Sequence, residues 1–231
     1  MWETEVNGRK LNFHLAGINN QNFLMRDEET GSWWQQVSGE AILGSLKGAR
    51  LKQVFHDELP FATWKREQSQ GRVLRPDEQV SAMYEGADWE DQVARFPTVT
   101  PSSADDPLRP RELIVGITAG EASKAYPLAV LKTRSPVLDT LGGVPILILV
   151  GDDKKSVRAF DARVDGRQLE FFAKTGVSPL RLVDGATGSE WDFTGKAVSG
   201  PLVGGSLSKI PILNDYWFDW KIYHPNTEVF R

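Results

Sequence analysis

The chain has 231 residues, 40% hydrophobic and 25% charged, which is long enough for one large domain or two small ones with sizeable cores and too apolar for overall disorder. Its net charge is −4 and its Lys and Arg are scattered, so the basic footprint of a nucleic-acid binder is missing. It contains no cysteine, which excludes disulfides, thiolate nucleophiles, thiolate-held zinc and iron–sulfur ligation.

Met1 to Glu5 has neither the basic start nor the apolar stretch of a signal peptide, so the chain as written shows no export signal. Asn7-Gly8 is a hairpin turn signal, and the alternation of Leu11 to Leu15 after it suits a half-buried strand. Phe23 to Asp27, Glu28 to Ser32 and Trp33 to Val37 follow as strand, turn and strand. Gly44 and Gly48 then precede Leu51 in a spacing that suits tight bends or close backbone approach and not a phosphate-binding loop. Leu59 to Arg66 reads as an aromatic helical turn, with Pro60 in its first turn.

From residue 76 to 111 prolines, Ser102-Ser103 and Asp105-Asp106 mark a linker, with one short helix around Asp88 to Phe96. Leu113 to Ile117 is a predicted strand and Tyr126 to Leu131 a short helix. The apolar run Val144 to Val150 is a buried strand, well short of the roughly 20 residues that cross a bilayer. It leads to the turn Gly151-Asp152-Asp153. A second hairpin signal, Asp165-Gly166, opens the last third, and Tyr216 to Lys221 closes it as a helix.

These signals come in two matching series. VNGRKLNF, DEETGSWW, GEAILGSLKGARL and TWKRE in the first third correspond in order to VDGRQLEF, DGATGSEW, GKAVSGPLVGGSL and DWKIY in the last. About twenty identities fall over about seventy positions where chance gives about four, which indicates an internal duplication. The expected fold is therefore mainly β with a few short helices (α+β), as two related β-rich repeats packed about a pseudo-twofold axis. The first repeat spans 1–75, the Pro-rich linker 76–111 and the second repeat 112–231.

Together AYPL, GGVPI, RVDGRQLEF, D-x-x-TGS-x-W, the glycine frame and W-x-x-x-HP-x-T-x-V resemble the bacterial family catalogued as DUF3179, a domain of unknown function. The resemblance covers 112–231 as a nearly complete unit and 6–74 as its carboxy-terminal part, which makes the first copy a truncated one. It implies a fold and no assigned activity. Family members often carry a C-P-x-C-like motif between the GGxP strand and the VDGR turn, suggesting a redox or metal role, but the corresponding Leu149 to Ser156 holds no cysteine. Members are often exported to the periplasm or cell envelope, and the resemblance leaves the compartment of this chain open.

Two functional readings follow. The favoured one is a non-catalytic binding or scaffold protein that takes an unknown small molecule or protein, or self-associates, with no nucleic acid, no transmembrane segment and no cofactor. The other is a redox- or metal-dependent enzyme whose cysteine motif is lost or lies upstream of Met1. The family pattern W-x-Q fits Trp34 and Gln36, whereas the second copy has Trp191-Asp192-Phe193, so a ligand site is expected around Asp27, Ser32, Trp34, Gln36 and Glu40. His224 joins this set because the first copy has no histidine there, although a helix cap is its simpler role. His14, His56 and His224 show no metal-ligand spacing. The acidic groups at Asp27, Asp105 and Asp152 read as solvated turns, and one of Trp33 and Trp34 should face outward.

Overall fold

The computed structural model describes residues 1–19, 22–98 and 103–231. The first unit opens with the hairpin β1 (Glu5–Val6) and β2 (Arg9–Lys10), whose turn places Asn7 and Gly8 at φ 52° and 75°. Two successive positive φ angles are what a two-residue turn of this kind needs, and Asn-Gly supplies them with little strain. An antiparallel sheet follows in chain order, from β3 (Phe13–Asn19) and β4 (Asn22–Asp27) to β5 (Trp33–Gln35) and β6 (Ala41–Leu43). Val6, Leu11, Trp34, Ala41 and Leu51 form its own small core. Gly44, at φ 101°, passes so close to Ser32 that a Cβ would stand 2.7 Å from the Ser32 Cα, so the close approach read from the sequence is real. Helix α1 (Phe61–Glu67) ends the unit, with Pro60 one position ahead of its first turn.

The segment between α1 and residue 112 contains a 3₁₀ turn at Glu78–Met83 and the short helix α2 (Trp89–Val93), and both are solvent-facing. Ser102 of the expected linker pair lies outside the described residues.

The body begins with β7 (Leu113–Ala119) and β8 (Ala122–Pro127), helix α3 (Leu128–Arg134), β9 (Val137–Leu141), β10 (Val144–Val150) and β11 (Val157–Asp161). The predicted helix at Tyr126 starts two residues late because Pro127 closes β8 and caps α3. The second unit then has hairpin β12 (Arg163–Val164) and β13 (Arg167–Gln168), followed by β14 (Phe171–Ala173), β15 (Arg181–Asp184), β16 (Glu190–Asp192) and β17 (Ala197–Ser199) in one antiparallel sheet. The chain returns through β18 (Lys209–Ile210), β19 (Leu213–Tyr216), helix α4 (Trp217–Tyr223) and β20 (Glu228–Val229).

Two four-stranded sheets make the body, in the orders β19-β7-β8-β20 and β18-β11-β10-β9. Strand β10 is apolar on both faces because both are covered. Ile146, Ile148 and Val150 pack toward Val115, Ile117 and Tyr126, whereas Leu147 and Leu149 pack toward Phe171, Leu182 and Trp191 of the second unit. Helix α4 covers the outer face of β7 and β8 through Trp217 and Trp220 against Ile114 and Ala125. Among the described residues no helix is long and apolar enough to cross a membrane.

The first unit meets the body largely through polar contacts. Buried Arg158 of β11 makes a two-pronged ion pair with Glu67 at 3.0 and 2.7 Å and a third bond to Asp57 at 2.9 Å. Thr63 Oγ1 donates to Asp153 Oδ2 at 2.8 Å, adding to the Ser156 and Lys155 bonds that outweigh burial and hold the Asp153 carboxyl down at about 2.

Candidate functional site

The expected site set divides in three. Asp27, Ser32 and Trp34 close the turn between β4 and β5. Asp27 Oδ2 accepts from Trp34 Nε1 at 2.8 Å and from Thr30 Oγ1 at 2.9 Å, and Oδ1 accepts from the Thr30 amide at 2.5 Å. Ser32 Oγ pairs with Thr30 Oγ1 at 2.7 Å and accepts from the Leu46 amide at 3.1 Å. The second unit has the same arrangement: Trp191 and Thr187 donate to Asp184, and Ser189 Oγ accepts from the Leu202 amide. Phe13 meets Trp34 edge-on at 5.7 Å, as Phe171 meets Trp191.

Asp27 is thus a buried staple, 1% exposed, and not the solvated turn residue its sequence context suggests. Its hydrogen bonds outweigh burial and hold its carboxyl below the usual carboxylate value, as they do for Asp184. Replacing either aspartate by Asn puts an amide where Oδ2 receives two donors and should cost about 1–2 kcal/mol. Because both carboxyls are lowered, the loss should be full at neutral pH and shrink as the pH falls below about 4, which urea melts of the two variants at pH 7 and pH 3 would check.

Gln36 and His224, by contrast, line a cleft of about 490 Å³ between the first unit and the body. The Gln36 carbonyl accepts from Trp2 Nε1 at 2.7 Å. His224, the residue ending α4, lies against the Trp220 ring with centroids 3.7 Å apart, and burial lowers its imidazole below the ordinary histidine value. Glu40 stands one residue back from the cleft, paired at 2.5 Å with Arg50, which does line it. Trp33 is half-buried and Trp34 fully buried, so neither offers a bare ring.

What the sequence reading passed over is the acidic wall. Asp215, near the end of β19, and Asp219, in the first turn of α4, both line the cleft. Burial pushes the Asp215 carboxyl up to about 7, with the Asp219 charge adding to the rise, and burial pushes Asp219 up to about 6. Asn22 Nδ2, at the start of β4, donates to Asp219 Oδ2, and Tyr223 Oη donates to the Asn19 carbonyl at 3.5 Å, so the β3–β4 hairpin is seated on α4. The second unit's hairpin takes another seat, where Asp152 accepts from Ser178 Oγ and the Leu180 amide. Glu58 completes the wall, accepting from Asn214 Nδ2 at 2.7 Å and standing 3.7 Å from His56 Nε2.

Gly116 on β7 forms part of the floor. A Cβ there would fall 2.2 Å from the Trp220 ring, so only glycine leaves room for the indole at this point. The signal that could have found this wall is two aspartates inside the aromatic run Asp215-Tyr216-Trp217-Phe218-Asp219-Trp220, since acids embedded in an apolar run are drawn into buried surroundings. Among the described residues no group of three or more His, Asp or Glu side chains is placed to hold a metal ion.

A family model described as "Protein of unknown function (DUF3179)" matches residues 1–227, a span that takes in both β-units and the body. No curated protein and no solved structure matches the chain.

Proposed function

The chain belongs to the DUF3179 family, whose function is unknown, and from that premise we propose that it is a non-catalytic binding protein whose ligand site is the cleft between the first unit and the body. The observation that carries this reading is the convergence there of polar groups from separate elements: Asn22 from the hairpin, Gln36 after β5, Glu58 ahead of α1, and Asp215 and Asp219 from the end of the chain. A concave site of about 490 Å³ with a few convergent polar groups and perturbed carboxyls has the form of a small-molecule pocket. Its serine is engaged, Ser38 Oγ donating to Gln35 Oε1 at 2.8 Å.

We also read the two β-units as an internal duplication in which only the first copy serves the cleft. The matched staples at Asp27 and Asp184 support this, together with hairpins of nearly equal length seated on different partners.

A charge-balanced fragment library screened by ligand-observed NMR tests the binding reading. At least one fragment should bind the full chain at a single site. Thr118→Trp, at an exposed residue of β7 lining the cleft, should weaken that binding about tenfold or more while leaving the melting temperature within about 2 °C. If no fragment binds, or if Thr118→Trp leaves binding unchanged, the proposal fails.

A further inference from the structure

We propose that the cleft takes a free organic cation of the amine or guanidine type, one that donates several N–H bonds to the carboxyls of its acidic wall. This rests on the reading of the cleft as a binding site and adds the chemical class of its ligand. Three carboxyls line the cleft, those of Glu58, Asp215 and Asp219. None of the basic side chains that line the cleft is ion-paired with Asp215 or Asp219. Arg50 is paired with Glu40, His224 lies on Trp220 with burial opposing its protonation, and His56 stands 3.7 Å from Glu58. Among the described residues, Asp215 and Asp219 therefore line the cleft without an ion-paired cation of their own.

A second observation points to the ligand's donors. Asp219 is 7% exposed, and while Oδ2 accepts from Asn22, Oδ1 is buried with no hydrogen-bond partner. Ionised, Oδ1 is an acceptor without a donor; protonated, it is a donor without an acceptor. The ionised state, in which Oδ1 lacks a donor, carries a cost that a ligand N–H would recover and that neither an anion nor an apolar group could.

A metal ion fits less well, because no three His, Asp or Glu side chains among the described residues converge on one point. An ammonium presents three donors, and a guanidinium spreads five across a planar fork, which suits carboxyls spaced along a wall. The cleft is also far larger than a bare ion requires.

Isothermal titration of the full chain at pH 7.5 with agmatine, butylamine, tetramethylammonium and succinate tests the proposal. Agmatine and butylamine should each saturate one site. Tetramethylammonium, which has the charge without the N–H, should bind about tenfold more weakly or worse, and succinate should not bind. Glu58→Gln, at a side chain 53% exposed and so of little consequence for folding, should weaken agmatine about threefold. Asp215→Asn with Asp219→Asn should weaken it about tenfold or more.

Failure of both N–H cations while a neutral or anionic fragment occupies the cleft overturns the ligand class and leaves the binding reading standing. Absence of any cleft ligand overturns both. Agmatine binding that all three substitutions leave untouched, or that tetramethylammonium equals, also overturns the ligand class.

Discussion

Arg158→Met should lower the stability of the folded chain by about 3–5 kcal/mol, read as a fall in the urea midpoint at unchanged slope. Arg158 is 4% exposed and sits on β11 with its guanidinium against the Phe193 ring at 4.6 Å. Its bonds reach across more than ninety residues to Glu67 and Asp57. Asp57 keeps a second partner when Arg158 is lost, because Lys209 Nζ stands 2.6 Å from it. Among the described residues no other cation pairs with Glu67, and its side chain is only 19% exposed, so the penalty is that of a carboxylate left half-buried and unpaired.

The double variant Arg158→Met with Glu67→Met should therefore recover more than half of the loss. If the double change proves as damaging as the single one, unpaired charge is not the cause and the aromatic packing of Arg158 is. The single variant has a local consequence as well. Residues 54–59 carry Asp57 of this anchor together with His56 and Glu58 of the cleft, so their amides should exchange faster, ahead of those in β10.

Where local chemistry dictates structure, the sequence was readable. Asn7-Gly8 and Asp165-Gly166 announce their hairpins through the positive φ angles they adopt, and the repeated Asp, Thr-Gly-Ser and Trp announce the stapled turns. The double burial of Val144 to Val150 and both aromatic helices were legible for the same reason. Strands β8 and β9 were not, since Ser123, Lys124, Asp139 and Thr140 break the apolar pattern. Lys124 is tied instead to Asp139 at 2.8 Å, a pairing that only the folded sheets create.

Of the candidate site, the sequence exposed Gln36 and His224 through a comparison of its two matching series, and that comparison is blind to whatever the series never shared. Asn22 and Asp219 are 197 positions apart, and nothing local in either segment reports that they meet. The repeat signal also drew attention to Asp27, Ser32 and Trp34, whose recurrence in both units is accounted for by the staple they form.

Asp215→Asn should make the chain more stable at pH 8 by about 2 kcal/mol and leave it nearly unchanged near pH 4. A carboxyl raised from its ordinary value to about 7 holds its proton in the folded chain over a window where the unfolded chain has released it. Its contribution is therefore fully present below about pH 4 and drains away as the pH rises through 7. Three pH units correspond to about 4 kcal/mol, and water at the cleft mouth should reduce this to about half.

Asparagine carries no charge to desolvate, and its Oδ1 can still accept from the Tyr216 amide, as Asp215 Oδ1 does at 2.7 Å. The comparison must be made between variant and parent at each pH, because Asp27, Asp153 and Asp184 are lowered and lose their stabilising contribution in acid, bending the parent's profile the other way. Chemical melts at pH 4, 6 and 8 would show the two curves separating as pH rises; a variant weaker than the parent at pH 8 would refute the account. A gain would also mean that the acidic wall is kept at a cost to the unliganded fold, as expected of side chains placed to meet a partner. A cation that neutralises Asp215 and Asp219 would then stabilise the parent more at pH 8 than at pH 5, where the folded chain already holds the protons that the cation must displace.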